Sequence, residues 1–490
     1  MQYIGIDLGT SAVKLLLVDD AGAVKKSVSR EYPLRFPRPG WSEQDPEDWW
    51  NAVTDGLQEL TENGRIPVAG VSAAGQMHGL VILDENDEVI RPAILWNDGR
   101  TEEETRWLNE TVGTALLQAH TGNIAFAGFT APKLLWLKKH EPENFNKIKK
   151  IMLPKDFITY RLTGAFVSDY SDAAGTLLLN VKEKRWSKEM CELCGVHETQ
   201  LPALCESYEK AGAVKPDAAA ATGLSAKTIV AAGAGDNAGA AVGTGAVING
   251  RCNLSIGTSG TVFISADRFP EKTDPAIHNF AHANGKFHLM GCMLSAASCN
   301  GWFCKDVLNT SDFGGEQAKI PEDLPGRNDV YFLPYLMGER SPINDTFARG
   351  CFVGLRPDTK RDAMLLAVLE GVAFAIKDNF EAVKRCGVEV SGSTLVGGGA
   401  KNPLWRQIFA DVLNLPLELP QTEEGPGYGA AMLAMVAAGA YPTVEACAEK
   451  LVKIRERILP DPERAALYAG RYEKFRLLYP ALKETFRKLA

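Results

Sequence analysis

Asp236 stands as a lone charge in a run of small residues, Gly233-Ala234-Gly235-Asp236-Asn237-Ala238-Gly239. Little nearby in sequence neutralises it, and its small neighbours would let a substrate reach the carboxylate. A carboxylate placed that way suits a general base acting on a hydroxyl. It suits equally the cap of an Ala-rich helix expected over Asn237–Val242, and spacing leaves both readings open. Asp7 is a second acid of interest, at the tip of the apolar strand Tyr3-Ile4-Gly5-Ile6-Asp7-Leu8, just before Gly9-Thr10-Ser11. An acid beside such a turn can hold Mg²⁺, usually through water, or cap the turn with its own carboxylate.

The Gly-Thr-Ser turn is the third piece. A strand ending there exposes backbone N–H groups and hydroxyls in a concave tip, a donor set for phosphate oxygens. The same grammar returns about 250 residues further on, in Leu254-Ser255-Ile256-Gly257-Thr258-Ser259-Gly260. Two such turns, one per half, point to two related lobes facing one nucleotide. Val396-Gly397-Gly398-Gly399-Ala400-Lys401-Asn402-Pro403 reads as a strand, a glycine turn and a helix with proline at its first position. Its backbone could approach a ligand closely, with the positive end of the helix dipole aimed at it. Glycines needed only for the turn are the alternative. On two other loops, His78 lies between Met77 and Gly79, and Trp96-Asn97-Asp98-Gly99-Arg100 forms a polar, aromatic turn. Both suit sugar hydroxyls; a structural histidine and an ordinary turn are the plainer readings.

Several classes are excluded or disfavoured. The chain has no G-x-x-x-x-G-K-[ST] sequence, which argues against a P-loop enzyme, and no G-x-G-x-x-G follows the first strand. The net charge of −8 argues against nucleic acid as a partner. Ten cysteines, mostly in apolar contexts, read as reduced thiols of a cytoplasmic protein. Cys191-Glu192-Leu193-Cys194 has metal-site spacing but no second pair, and reads as packing. The N-terminus carries no basic targeting region. The uncharged run from Gly425 to Val444 is too rich in Gly and Ala for a membrane span, and reads as a buried helix of small residues.

The elements that would position these residues alternate, which argues an α/β protein. At 490 residues the chain exceeds what one core usually serves. Strands are expected at 2–7, 13–19 and 23–32. A helix follows from Pro46, capped by Asp45, with Trp49, Val53, Leu57 and Leu60 on its apolar face. Further strands are expected at 67–74 and 80–83. A compositional shift across 211–250 places the lobe boundary near 245–250. Beyond the second turn, strands run to about 292 and a long helix spans 360–386, ended by Gly387. The last 50 residues read as charged, helical and peripheral.

Together these residues resemble the FGGY carbohydrate kinases over essentially the whole chain. The opening IGIDLGTSAVK looks like the family's first phosphate loop. Trp41-Ser42-Glu43-Gln44-Asp45-Pro46, Gly75-Gln76-Met77-His78-Gly79, Ile94 to Arg100, Leu153-Pro154-Lys155-Asp156, Ser168 to Thr176 and Leu333 to Arg340 are similar to motifs of the members that phosphorylate D-xylulose. Gly233-Ala234-Gly235 departs from the pattern, where a run closer to three glycines is expected. The resemblance implies two ribonuclease-H-like lobes, residues 1–246 for the sugar and 247–490 for the nucleotide, with a catalytic cleft between them. It implies transfer of the γ-phosphoryl group of ATP to O5 of D-xylulose, a step of xylose catabolism feeding the pentose phosphate pathway. Carried over by motif, Asp236 is the general base, and Met77, His78, Asp236 and Asn237 line the sugar site. Asp7 and Thr10 serve the Mg²⁺ and phosphate end. Gly257 and Thr258 hold the β/γ region, Gly398, Gly399 and Asn402 the adenosine and α-phosphate side, and Trp302 flanks the nucleotide. The family further suggests a homodimer with no membrane partner. An actin/Hsp70-like ATPase would use the same lobes as a switch, without needing an acid in a sugar pocket.

Overall fold

The apolar opening segment becomes a strand buried on both faces, as an interior strand of a covered sheet requires. In the computed structural model, which describes residues 1–489, β1 (Gln2–Leu8), β2 (Ala12–Asp19) and β3 (Val24–Glu31) form an antiparallel meander. Helix α1 (Pro46–Leu60) follows, its first turn capped by the Asp45 carboxylate on the Glu47 N–H at 3.1 Å. The apolar stripe expected on it is wholly buried. β4 (Gly70–Gly75) then runs parallel to β1. Far along the chain β5 (Lys210–Ala213), β6 (Ile229–Ala231) and β7 (Ala234–Gly235) complete the sheet, in the order β5-β6-β4-β1-β2-β3 with β7 extending along β4.

Helix α2 (Asp236–Thr244) leads out of this sheet and into the next. That sheet comprises β8 (Arg251–Ile256), β9 (Gly260–Ala266), β10 (His278–Ala281), β11 (Phe287–Met293), β12 (Gly392–Val396), β13 (Leu417–Pro420) and β14 (Ile454–Ile458). Its order is β10-β11-β9-β8-β12-β13-β14. The strands β11-β9-β8-β12-β13 repeat the order and directions of β3-β2-β1-β4-β6: an antiparallel meander followed by two parallel neighbours. The molecule is thus an α/β protein of two lobes built on one plan. The 25-residue helix α3 (Arg361–Arg385) backs the second sheet, and Gly387 at φ 84° ends it.

Helix α4 (Pro403–Leu413) follows β12, and helix α5 (Gly425–Ala437) follows β13. α5 is the buried helix of small residues, shorter than the run that signals it, because the chain turns before Pro442. It packs on α2 and on β1, so the two lobes meet along its length. A Cβ at Gly429 would lie 1.9 Å from the Gly239 carbonyl oxygen, and one at Gly5 would lie 1.8 Å from that of Gly427. Backbone touches backbone there, so these positions of the seam between the lobes admit only glycine.

The closing residues correct one expectation. They are helical but not peripheral: Tyr468, Tyr472 and Phe475 are buried, and Phe475 meets Phe374 of α3 at 5.2 Å between ring centroids. Their aromatic residues sit among charges, which masks the apolar face in composition. All ten cysteines are free thiols. Among the described residues no helix is long and apolar enough to cross a membrane.

Candidate active site

Between the lobes lies a cavity of about 640 Å³, with Met77, His78, Phe129, Asp236, Asn237 and Arg340 in its wall. A second cavity of about 260 Å³ takes in Gly397, Gly425 and Thr244. The two share Asp236, Asn237, Ser255 and Thr261. Asp236 therefore stands where one cavity passes into the other.

Asp236 is the first residue of α2, and Gly235 is its cap, so the capping role open in the sequence is not adopted. Oδ1 accepts from the Asn237 backbone N–H at 2.7 Å and from Asn237 Nδ2 at 2.9 Å. Asn237 thus pins one oxygen and leaves Oδ2 for a ligand. Burial raises the carboxyl to about 6, against which the Asn237 hydrogen bonds act. The group is ionised at neutral pH yet more basic than an exposed aspartate.

Asp7 lies at the end of β1, and its carboxyl is raised to about 7, by burial first and then by the charge of Asp236. Lys14, opposite it in the ladder, is engaged by Glu424. Two neighbouring carboxylates, the charge of one raising the other and that other without a hydrogen-bond partner among the described residues, fit a divalent cation.

Between β1 and β2 the Gly9–Ser11 turn is braced from behind. Gly9 O accepts from Gln76 Nε2 at 3.3 Å and from the Tyr32 hydroxyl. Thr10 O accepts from Gln44 Nε2 at 2.6 Å, and Gln44 Oε1 accepts from Gln76 Nε2 and Trp49 Nε1. With the carbonyls occupied, the amides of Thr10 and Ser11 find no partner among the described residues and are left to a ligand. Thr10 Oγ1 accepts from Trp96 Nε1 at 3.0 Å, and Trp96 lines the larger cavity. The bracing glutamines, Gln44 and Gln76, are not among the residues the sequence singles out for the site. Their signal lies in the Trp41–Pro46 and Gly75–Gly79 motifs, since a buried amide needs a partner.

The second turn, between β8 and β9, holds Thr258 and Ser259 exposed in the larger cavity. Thr258 O accepts from Ala296 N at 2.9 Å. Gly257 sits at its base and lines neither cavity. In the third turn Gly397, at φ 91°, lines the smaller cavity. Gly398 is exposed with open space where a Cβ would be, whereas a Cβ at Gly399 would lie 2.3 Å from Ile256 Cγ2. Asn402 caps α4, accepting from Trp405 N at 2.8 Å, and its amide is held by Gln317. Trp302 stacks on Phe332 at 6.1 Å, within the second core. Gly398, Gly399, Asn402 and Trp302 line neither cavity.

His78 is more tightly determined than a loop histidine need be. It holds φ 69°, in the left-handed region, and its carbonyl accepts from Lys133 Nζ at 2.8 Å and Thr130 Oγ1 at 3.1 Å. Its ring stacks on Phe129 at 4.6 Å. Nδ1 lies 2.7 Å from the Gly175 carbonyl oxygen, which can only accept, so Nδ1 carries the proton. Burial pushes the ring down to about 3, so it is neutral and Nε2 is an acceptor. Met77 contributes its side chain beside it.

Comparison with known proteins agrees with this arrangement. The N-terminal domain of the FGGY family of carbohydrate kinases matches residues 2–243, and the C-terminal domain of that family matches residues 252–438. The chain belongs to this family: it is an ATP-dependent carbohydrate kinase. It is 42% identical over 484 residues to the xylulose kinase of Escherichia coli strain K12, covering 98% of this chain and 99% of that one. A ligand-bound xylulose kinase from Lactobacillus acidophilus superposes with TM-score 0.94 at 28% identity, covering 100% of both chains. A gluconate kinase from Lactobacillus acidophilus also gives TM-score 0.94 at 28% identity, covering 100% of this chain and 99% of that one. Fold alone therefore separates no substrate within the family; the sequence match to a xylulose kinase does more.

Proposed function

We propose that this chain is a xylulose kinase, transferring the γ-phosphoryl group of ATP to O5 of D-xylulose to give D-xylulose 5-phosphate and ADP. The observation that carries the reading is Asp236 at the junction of two unlike cavities. One is walled by His78, Phe129 and Trp96, groups that bind hydroxyls and sugar faces; the other is walled by bare backbone at Gly397 and Gly425. A carboxylate at that junction meets the acceptor hydroxyl where the phosphate arrives. The full-length match to a xylulose kinase supports D-xylulose as the sugar.

In this reading Asp236 Oδ2 accepts the O5 proton as the O–P bond forms, and Asn237 holds the carboxylate in line. Met77 and His78 orient the sugar. The turn amides near Thr10, and Thr258 on the other lobe, bind phosphoryl oxygens, with Gly257 letting the second turn close. Gly398, Gly399 and Asn402 lie on the adenosine side, past Gly397. Holding both substrates together supplies much of the acceleration. Asp7 would hold Mg²⁺, which when bound supplies positive charge to the triphosphate. A lobe boundary at residues 246 and 247 falls just after α2, the element that joins the two sheets. The ten free thiols suit a reducing, cytoplasmic setting.

The test is ADP release with D-xylulose, D-ribulose, glycerol and D-gluconate in parallel. D-xylulose should give the highest kcat/KM. Turnover indifferent to every sugar would mean an ATPase switch instead.

A further inference from the structure

The larger cavity contains a cation that the reaction above leaves unused. Arg340, from the C-terminal lobe, is part-buried in its wall and makes no ion pair among the described residues. Its neighbour Glu339 does not serve it: Oε1 accepts from the backbone N–H groups of Leu294 and Arg340, each at 2.8 Å. The guanidinium lies 5.6 Å from the centre of the Phe126 ring, Phe126 meets Phe129 at 5.4 Å, and Phe129 stacks on His78. Arg340 and His78 therefore share the aromatic end of the cavity. Asp236 borders both cavities, whereas neither Arg340 nor His78 lines the smaller one. In keeping with this, the charge of Arg340 helps burial push the His78 and His278 rings down.

A neutral sugar gives no reason for a charge, but it does give a reason for donors. A guanidinium donates from five N–H groups and accepts nothing, whereas neutral His78 offers Nε2 as an acceptor. A ketose with its terminal hydroxymethyl at Asp236 brings its C1–C2 end towards Arg340 and His78. At that end a carbonyl oxygen, which only accepts, stands beside hydroxyls, which can donate. Resting on the proposed reaction, we propose that Arg340 is a specificity residue that donates to the C2 carbonyl oxygen of the ketose, while His78 Nε2 accepts from an adjacent hydroxyl. The pocket then selects the ketose over the alditols made by reducing that carbonyl, and the sugar is gripped by both lobes.

The experiment compares wild type, Arg340→Ala and Arg340→Lys on D-xylulose, xylitol and D-arabinitol, with ATP held saturating. Arg340→Ala should raise KM for D-xylulose about 10- to 100-fold, the range for a lost hydrogen bond to a charged group, and alter KM for the alditols by only about twofold. Arg340→Lys keeps a charged donor without the planar fork, so it should recover part of the loss. Sugar-free melting curves show whether each variant is folded. If Arg340→Ala is not, Arg340→Lys decides, by weakening the ketose more than the alditols. Equal loss on ketose and alditols, or an unchanged KM for D-xylulose in a folded variant, overturns the role of Arg340. Wild-type enzyme that ignores D-xylulose, or prefers D-gluconate, overturns the reaction itself and is a different result.

Discussion

The turn at Gly9–Ser11 and the turn at Gly257–Ser259 occupy the same place in the same strand order, yet they are furnished differently. Two residues before the glycine stands Asp7 in one and Ser255 in the other. The neighbouring parallel strand runs on into Gln76-Met77-His78 in the first lobe and into Gly397-Gly398-Gly399 in the second. The helix after the next strand begins at Asp236 in one and at Gly425 in the other. One scaffold thus places side chains at these three positions in the first lobe and bare main chain or a small hydroxyl at them in the second. A sugar must be read hydroxyl by hydroxyl, which takes directed side chains. A triphosphate is a larger, repetitive acceptor that asks chiefly for N–H groups brought close, and side chains would hold it off.

The contrast can be broken most severely at Asp236. Asp236→Ala should lower kcat by about 10³-fold, the usual range for a general base, while calorimetry finds ATP affinity nearly unchanged. A variant retaining a tenth of the turnover would remove the base from this position. On the side-chain face, His78→Ala should raise KM for D-xylulose about 30-fold through the lost acceptor and stacking contact. KM for ATP should barely move; equal effects on both substrates would blur the two faces. On the main-chain face, Gly398→Ala meets open space and should leave the melting temperature alone. If backbone approach to the nucleotide matters there, KM for ATP rises about tenfold, the worth of one close contact. Gly399→Ala instead meets Ile256 and should cost about 1–3 kcal/mol of stability. The smallest effect concerns pH. Asp236, raised by burial to about 6, would serve as a base only when ionised, so kcat/KM should fall below that pH. His78, held neutral down to about 3, should contribute no limb in that range.

Much of the candidate site is legible in the sequence because its proposed chemistry is local. A turn needs its Gly-Thr-Ser in consecutive positions, and a lone acid among glycines and alanines announces itself. What was harder to read has the opposite character. The bracing of the Gly9–Ser11 turn draws on Tyr32, Gln44 and Gln76, three segments with no spacing rule between them. The closing helices read as peripheral because Tyr468, Tyr472 and Phe475 are interleaved with charges, one of which, Arg471, is itself buried against Glu370 of α3.

From the sequence alone came the two-lobed α/β plan, the repeated turn and the family, since strand period, turn chemistry and motif order are written along the chain. The tertiary structure alone decided that Asp236 begins its helix rather than capping it, that His78 is a neutral acceptor, and that Arg340 shares its end of the cavity. Those are matters of which dipole or carbonyl lies across a gap, and a linear order of residues carries no distances through space.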